Sequence, residues 1–596
     1  MSNLLSQASL VMIPSGYKED VVYSPIPTDG SGDLSFTRAS NGTRINSAGL
    51  VEDVPWNFVQ NSENFDAVWT KYNGATVTTN AIVAPNGTTT ADLLIAGASQ
   101  EVYSANMPKV AEELYYTFSC YAKLYNTNVF KMTASDFSTS GVDASFNLST
   151  LSATYVTGAT WSNSSASIES VGNGWYKCIL TSKSPATTGL YLSLYTSGTN
   201  SVSGVYIWGA QVNIGSTAKP YFPTTDRLNV PRLTYQNGGG GCPSLLLEKQ
   251  STNLVTYSEQ FDNAAWTKNY TTVTANTTTS PDGTQNADSM TENTAYDHHL
   301  IYQGSTVSAG AYTQSVFIKK NTRQYAFLQI ATDTAVNRYT IVVDLDNGSV
   351  TATSTAGSPT GTSNKIDSMG NGWYRVTVTA THTSGEVYSV FGLSDSANPT
   401  FSGVATPIYT GNGTGSIYIY GAQIEASSYP TSYIPTTSAS ATRVADACYR
   451  NSYAGGITSE GTIFADFEYL RTDGGYATPC LIINGSNYIY MFVISNTIRA
   501  NCTNGGVIQS QIISSTVTPN TRYKVAARFK TNDFSLYVNG ALIGTDTSGT
   551  MPTFSTSFNT YVGTDSSLTE PVGKLNELVI FPVGLTNSEL ASLTTI

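Results

Sequence analysis

The pentapeptide GNGWY occurs at Gly172–Tyr176 and again at Gly370–Tyr374, followed by Lys177 in one place and Arg375 in the other. The match extends both ways. NFVQNSENFDAVWTK (57–71) faces NLVTYSEQFDNAAWTK (253–268), and YTFSCYAKL (116–124) faces YTQSVFIKK (312–320). Downstream, YIWGAQV (206–212) and PYFPTT (220–225) face YIYGAQI (418–424) and SYIPTT (432–437). The offset holds at 196 to 198 residues until a longer loop in the second copy raises it to 212. Blocks in one order at nearly constant spacing define a duplicated domain, and any fold for this chain must be built twice.

Within each copy the pattern has period two. YTFSCYAKLY, LYLSLY and WYRVTVTAT alternate larger apolar with small or polar residues, as half-buried strands do. Only 12% of the 596 residues are charged, and 38 Tyr and 50 Gly fill much of the gap, a mixture suited to pleated surfaces joined by tight turns. No segment of 12 or more residues joins helical periodicity to caps at both ends. The expected fold class is all-β, with tandem two-sheet β-sandwich (jelly-roll) domains. The duplication also reads the cysteines: Val316 stands for Cys120 and Val376 for Cys178, so those positions want a small buried hydrophobe. Cys242, Cys448, Cys480 and Cys502 show no zinc-type spacing.

The boundaries follow. Residues 1–45 have no full counterpart and are expected to be an N-terminal attachment segment. Residues 46–225 and 253–442 are the two sandwiches, the first including the lead-in LVE at 50–52, which matches LLE at 246–248. Residues 226–252 carry four consecutive glycines and read as a linker or hinge. Residues 443–596 differ in pattern: YVNG before ALIGT signals a hairpin, and LTNSELASL a short final helix capped by Thr586 or Asn587, with Glu589 in its first turn.

These phrases resemble known families. NSENF…W and YSEQF…W, with a closing YIYGAQIE strand, look like carbohydrate-binding-module β-sandwiches. The strand–YVNG–strand set with LNELVIFPVGLTNSEL resembles laminin-G/concanavalin-A-like lectin domains. LSFTRASNGTRINSAGLVE and GCPSLLLEKQSTNLVTYSEQF are similar to tail- or head-fibre proteins of tailed bacteriophages. The resemblance implies a virion protein, made in a bacterial cytoplasm, a homotrimer by analogy. Its N-terminal segment would dock to other virion proteins, and its modules would touch host-surface glycans. It also raises a structural calcium near Glu63/Asp66 and Glu259/Asp262; otherwise no cofactor or metal is expected. Asn213 stands where the second copy has Glu425, so a shared role for that carboxylate is in doubt.

Binding, not catalysis, is the expectation. The three histidines, His298, His299 and His382, sit in no nucleophile-elbow context and read as exposed loop or strand residues. Asp466 and Glu468, two apart in ADFEY, lie about 6.5–7 Å from each other on one strand face, which would suit a glycosidase but reads better as a solvated pair. Sugar binding needs exposed rings with polar neighbours. Trp69, Trp175, Trp266 and Trp373 recur in both copies and read as core. The platform candidates are Tyr191 and Tyr195, which alternate with Leu190, Leu192 and Leu194, and Tyr388 and Phe391 in the second copy. A net charge of −12 without basic blocks argues against nucleic acid, and no apolar run is long enough to span a membrane. The opening residues lack a positive n-region, so no signal peptide is expected. The alternatives are a purely structural decoration protein, whose sandwiches bind other virion subunits, and a capsular polysaccharide depolymerase.

Overall fold

The repeated pentapeptide is a hairpin turn made twice. Asn173 and Gly174 take φ of 51° and 73°, and Asn371 and Gly372 take 51° and 78°. This left-handed pair is what a two-residue turn between twisted strands requires, and Asn-Gly supplies it at least cost. In the computed structural model, which describes residues 2–54, 56–97, 99–109, 113–137, 141–197, 202–452, 456–472, 474–554, 558–563 and 571–596, the turns join Ser162–Gly172 to Trp175–Lys183 and Ser363–Gly370 to Trp373–His382.

Each copy is a sandwich of two antiparallel sheets with one strand order. In the first copy one sheet runs Ser162–Gly172, Trp175–Lys183, Tyr115–Leu124, Gly204–Ile214, Ala91–Ile95, Thr76–Ile82. The other runs Ser152–Thr157, Val142–Asn147, Val129–Ser135, Gly189–Thr196, Glu101–Tyr103, Thr70–Tyr72. The second copy repeats both orders. A bulge falls between Ser119 and Tyr121 and, in the same place, between Ser315 and Phe317. Cys120 lies directly across from Cys178, and Val316 from Val376, all fully buried.

The internal hydrogen bonds repeat as well. Asp92 accepts from the backbone N–H of Phe65 and Asn80, both at 3.0 Å, and Asp288 accepts from Phe261 and Asn276 at the same distances. Asn57 donates to the carbonyls of Ala210 and Phe222, and Asn253 to those of Ala422 and Ile434. Buried polar groups of this kind must be satisfied, and here the same residues satisfy them twice. All four recurring tryptophans are core, at 3% exposure or less.

The chain divides into two units, Pro55–Leu228 and Met1–Val54 with Asn229–Ile596, and this departs from the sequence-based boundaries. The opening residues are not a segment apart. Leu10–Met12 pairs with Gly573–Phe581, and Leu34–Thr37 pairs with Ala447–Arg450. Leu10, Met12, Val22, Leu34 and Phe36 share one core with the C-terminal strands. Forty-five residues cannot bury a core alone, so they complete another. The glycine stretch is likewise no hinge: Leu233–Thr234 pairs with Ser244–Leu247 around it, and that hairpin extends the C-terminal sheet through Gly573–Phe581. The lead-in also belongs to the larger unit: the Val51 N–H donates to the Pro281 carbonyl at 2.9 Å.

The C-terminal sandwich follows its sequence signals. Asn539-Gly540 turns Phe534–Val538 into Ala541–Asp546. The helix Asn587–Thr594 is capped by Thr586 in a reciprocal box with Glu589. No described helix is long and apolar enough to cross a membrane. Where the segments of the larger unit meet, five charged residues are nearly or fully buried. Arg38 donates to Asp446 at 3.0 Å, Arg232 bridges Asp446 and Glu248, and Arg443 lies 3.2 Å from Glu248. Burial pushes the Glu248 carboxyl up, but Arg443 and Arg232 outweigh that and hold it down at about 2.

Candidate functional site

Strand Gly189–Thr196 sorts its side chains by face. Leu190, Leu192 and Leu194 are buried in the core, at 1% exposure or less, while Tyr191 and Tyr195, half-buried, and Ser193, 2% exposed, take the other face. Register brings their neighbours into rows. Val102 lies opposite Leu194, which sets Glu101 beside Tyr195 and Tyr103 beside Ser193. On the other side Lys131 faces Tyr195 and Thr133 faces Ser193.

Two groups form on this face. Phe137, 55% exposed, stands against Tyr191 with ring centroids 4.1 Å apart and meets Tyr103 edge-on at 5.2 Å. Its backbone is left-handed, φ 57°, a conformation bulky residues rarely adopt and one that collects at functional sites. Beside it, Lys131 Nζ lies 5.6 Å over the Tyr195 ring. The Thr133 hydroxyl lies 3.1 Å from the Tyr195 phenol and donates to Asp143 at 2.5 Å. Burial holds the Tyr195 phenol above its ordinary value, so it stays protonated as a donor. Tyr72, 51% exposed, extends the row beyond Glu101. The face therefore joins apolar ring surfaces to a hydroxyl, a carboxylate and a cation.

The second copy places its candidates differently. Tyr103 faces Thr70 and Ser193, whereas Tyr302 faces Thr267 and Val390. Tyr388 is thus the counterpart of Tyr191, Gly392 of Tyr195, and Phe391 of the core residue Leu194. Phe391 is fully buried against Phe261 and Trp266 at 5.6 and 5.5 Å and cannot meet a sugar, which corrects its assignment as a platform. Tyr388 is half-buried and hydrogen-bonded to Glu386. The longer loop lies over this face: Gln329, the counterpart of Thr133, donates to the carbonyls of Val404 and Ala405 at 3.0 and 3.3 Å. Beneath the loop Leu300, Phe327, Val342 and Val390 form a buried cluster with Phe401 packed against it.

The remaining candidates are occupied. Asp466, 2% exposed, is gripped by Arg522 Nε and Nη2 at 2.7 and 2.5 Å and by Asn576 at 2.8 Å, while Glu468 pairs with Lys574 at 3.1 Å. The cross-strand partner of Asp466 is Glu577, a third acid that sequence spacing did not show. Burial first, then Asp466, raises its carboxyl. The calcium pairs diverge: Glu63 accepts from the Tyr221 phenol at 3.2 Å whereas Asp66 pairs with Lys71, and Glu259 accepts from Tyr420 and Tyr433 at 3.0 and 3.1 Å. Among the described residues no three His, Cys, Asp or Glu side chains gather as metal ligands. Glu425 is fully buried and accepts from Ser251, Gln423 and Thr431, a structural role that Asn213 fills differently by donating to the carbonyls of Ile214 and Thr217. Two histidines are not exposed: His299 is fully buried against Tyr409, and His382 is 1% exposed.

Residues 469–591 match the family model of the concanavalin A-like lectin/glucanases superfamily, a span well short of half the chain. No curated protein matches the sequence. Among solved structures the chain is similar to the CBM40 of a Ruminococcus gnavus IT-sialidase bound to α2,3-sialyllactose, at 16% identity over 24% of this chain and 84% of that one, TM-score 0.21. It is similar to the N-terminal CBM22 tandem of Paenibacillus barcinonensis Xyn10C, at 11% identity over 62% and 96%, TM-score 0.21. It is also similar to mouse laminin α1 domains LG4-5, at 10% identity over 50% and 93%, TM-score 0.17.

Proposed function

We propose that the chain is a glycan-binding structural fibre of a tailed-phage virion, and that it grips host-surface sugars through the open sheet face of residues 55–228. The observation that carries this reading is the Tyr103–Phe137–Tyr191 cluster around the exposed Phe137, with Tyr195, Lys131 and Asp143 beside it. Such rings receive the apolar face of a pyranose, and the polar neighbours meet its hydroxyls. The virion setting is supported by the phage-fibre phrases of the sequence. In it the opening residues meet other virion proteins through a folded surface of the C-terminal sandwich, and trimeric copies multiply weak contacts by effective concentration. The protein acts by binding, not turnover, a reading supported by the ion pairs that hold Asp466 and Glu468.

The whole chain applied to an array of bacterial surface polysaccharides tests this. Tyr191→Ala and Phe137→Ala are expected to weaken the strongest signal roughly tenfold, the equivalent of about 1.4 kcal/mol, while Tyr388→Ala leaves it unchanged. An array without signal, alongside an ordered contact of these sandwiches on the particle, would instead support a decoration protein.

A further inference from the structure

The larger unit contains a cavity of about 420 Å³, within the size range of small-molecule sites. One wall is the outer face of strand Trp373–His382, which presents Arg375, Thr377 and Thr379. The others come from Thr43–Ile45, the stretch Ser428–Tyr433, and Glu468 with Lys574.

The charges of this cavity do not cancel in pairs. Arg44 is bound to Glu52 at 2.9 Å, Lys365 to Asp367 at 3.1 Å, Lys574 to Glu468 at 3.1 Å, and Glu248 to Arg232 and Arg443. Arg375 has only more distant counter-charges: burial lowers its pKa, and Glu425, Asp367 and Glu248 favour its charged form against that. Its guanidinium lies 5.5 Å over Phe317 and donates from Nε and Nη2 to one hydroxyl, Ser315 Oγ, at 3.3 and 2.9 Å; it takes no ion pair among the described residues. Two residues on, Thr377 is 2% exposed and its hydroxyl has no hydrogen-bond partner, and the Ser428 hydroxyl in the opposite wall has none either. A buried hydroxyl left unpaired is costly, and two residues that carry one line this cavity beside an arginine whose fork has a single hydroxyl as its hydrogen-bond partner, a set suited to the oxygen atoms of a ligand and to a carboxylate.

The sister copy sharpens the point. Tyr121 faces Lys177 and Ser119 faces Ile179, as Phe317 faces Arg375 and Ser315 faces Thr377. The position that carries an orphan hydroxyl here is an isoleucine there. Lys365, across from Thr377, corresponds to Ser167, across from Ile179. The fold does not need a hydroxyl at the place of Thr377, since its other copy has Ile179 there.

We infer that this cavity binds a single polyhydroxylated monocarboxylate of the uronic-acid class, its carboxylate on Arg375 and its hydroxyls on Thr377 and Ser428. Arginine suits the role because its planar fork matches a carboxylate in two parallel hydrogen bonds. The site lies in the unit that lacks the Tyr191 face, and it does not rest on the reading given to that face.

Calorimetric titration of the full chain with sodium D-glucuronate, D-glucose and sodium acetate tests this. Glucuronate is expected to bind in the millimolar range, with glucose and acetate at least about tenfold weaker, because each offers half of the ligand's chemistry. Arg375→Gln should lower glucuronate affinity about tenfold or more, the loss expected for a charge-assisted bond. Thr377→Ile, which copies the sister residue and fills the cavity, should abolish it, and Tyr191→Ala should leave it unchanged. Should either cavity variant fail to fold, Thr377→Val, of the same shape, is read by the same criterion. The inference is overturned if glucuronate gives no heat, if glucose binds as well, if the cavity variants bind like the parent, or if Tyr191→Ala is the variant that loses binding.

Discussion

The two sandwiches share strand order, bulge position and buried hydrogen bonds, yet they treat the same outer sheet face in opposite ways. In the first copy Phe137 stands on it exposed, with Tyr103, Tyr191 and Tyr195 half-buried beside it. In the second, a loop carrying Phe401 lies across it, Val390 replaces Ser193, and Gly392 replaces Tyr195. A Cβ at Gly392 would come within 2.1 Å of the His299 carbonyl and 2.7 Å of the Phe327 ring, so no side chain fits there. The difference teaches that a duplicated fold can keep its core twice and spend one copy on contact with the outside and the other on internal packing. What changed is a loop and a few outward positions; what could not change is the inward set.

The largest test of this contrast removes the cover. Replacing residues 396–408 by the short connection of the first copy uncovers Phe327, Val342 and Val390, each fully or almost fully buried now. Each exposed side chain is expected to cost about 1.5–3 kcal/mol, and the bared patch should promote association. Denaturant unfolding with light scattering would show both. A variant as stable and monodisperse as the parent would mean that the loop is an ornament and the copies are equivalent.

A second test separates the copies by their company. The second copy shares a unit with the C-terminal sandwich, whose junction holds Arg38, Arg232, Arg443, Glu248 and Asp446. Glu248→Gln leaves two buried guanidinium groups short of a charge, and breaking such a pair costs about 3–5 kcal/mol. In calorimetry the transition of the larger unit should move down, while that of residues 55–228 stays in place. A shift of both together would show that the two units unfold as one.

Much of this was legible before any coordinates. The duplication, the Asn-Gly turns, the cap at Thr586 and the inward leucines of LYLSLY follow from local chemistry, and the outward placement of Tyr191 and Tyr195 followed with them. Phe391 did not, for a physical reason. The strand Glu386–Ser394 is covered on both faces, so its outward positions became apolar and the alternation that reveals phase disappeared. Tyr103 was readable from Glu-Val-Tyr once Val102 was known to be buried. Phe137 was not, because nothing in ASDF announces a left-handed backbone. The junction charges were out of reach for another reason: Arg38 and Asp446 stand 408 residues apart, and no local pattern links them.

The smallest expected effect is also the one that divides the units most sharply by sign. Asp92, in the first copy, is raised to about 6 from an ordinary 3.8, because burial outweighs its two backbone hydrogen bonds. Glu248, in the larger unit, is lowered to about 2 from an ordinary 4.5. A carboxyl held low binds its proton less tightly folded than unfolded, so what Glu248 contributes is complete above about pH 4.5 and is lost as pH falls toward 2. Asp92 works in reverse: the folded state holds the proton more tightly, and its contribution is lost as pH rises from about 3.8 through 6. Melting the chain across that range should therefore lower the transition of residues 55–228 slightly on going from pH 4 to pH 6. What Glu248 adds to the larger unit should be lost on acidification below about 4.5. Asp92→Asn should flatten the first slope and leave the second untouched. If the slope survives that substitution, the proton it reports sits elsewhere, and the two copies are closer in their electrostatics than their burial implies.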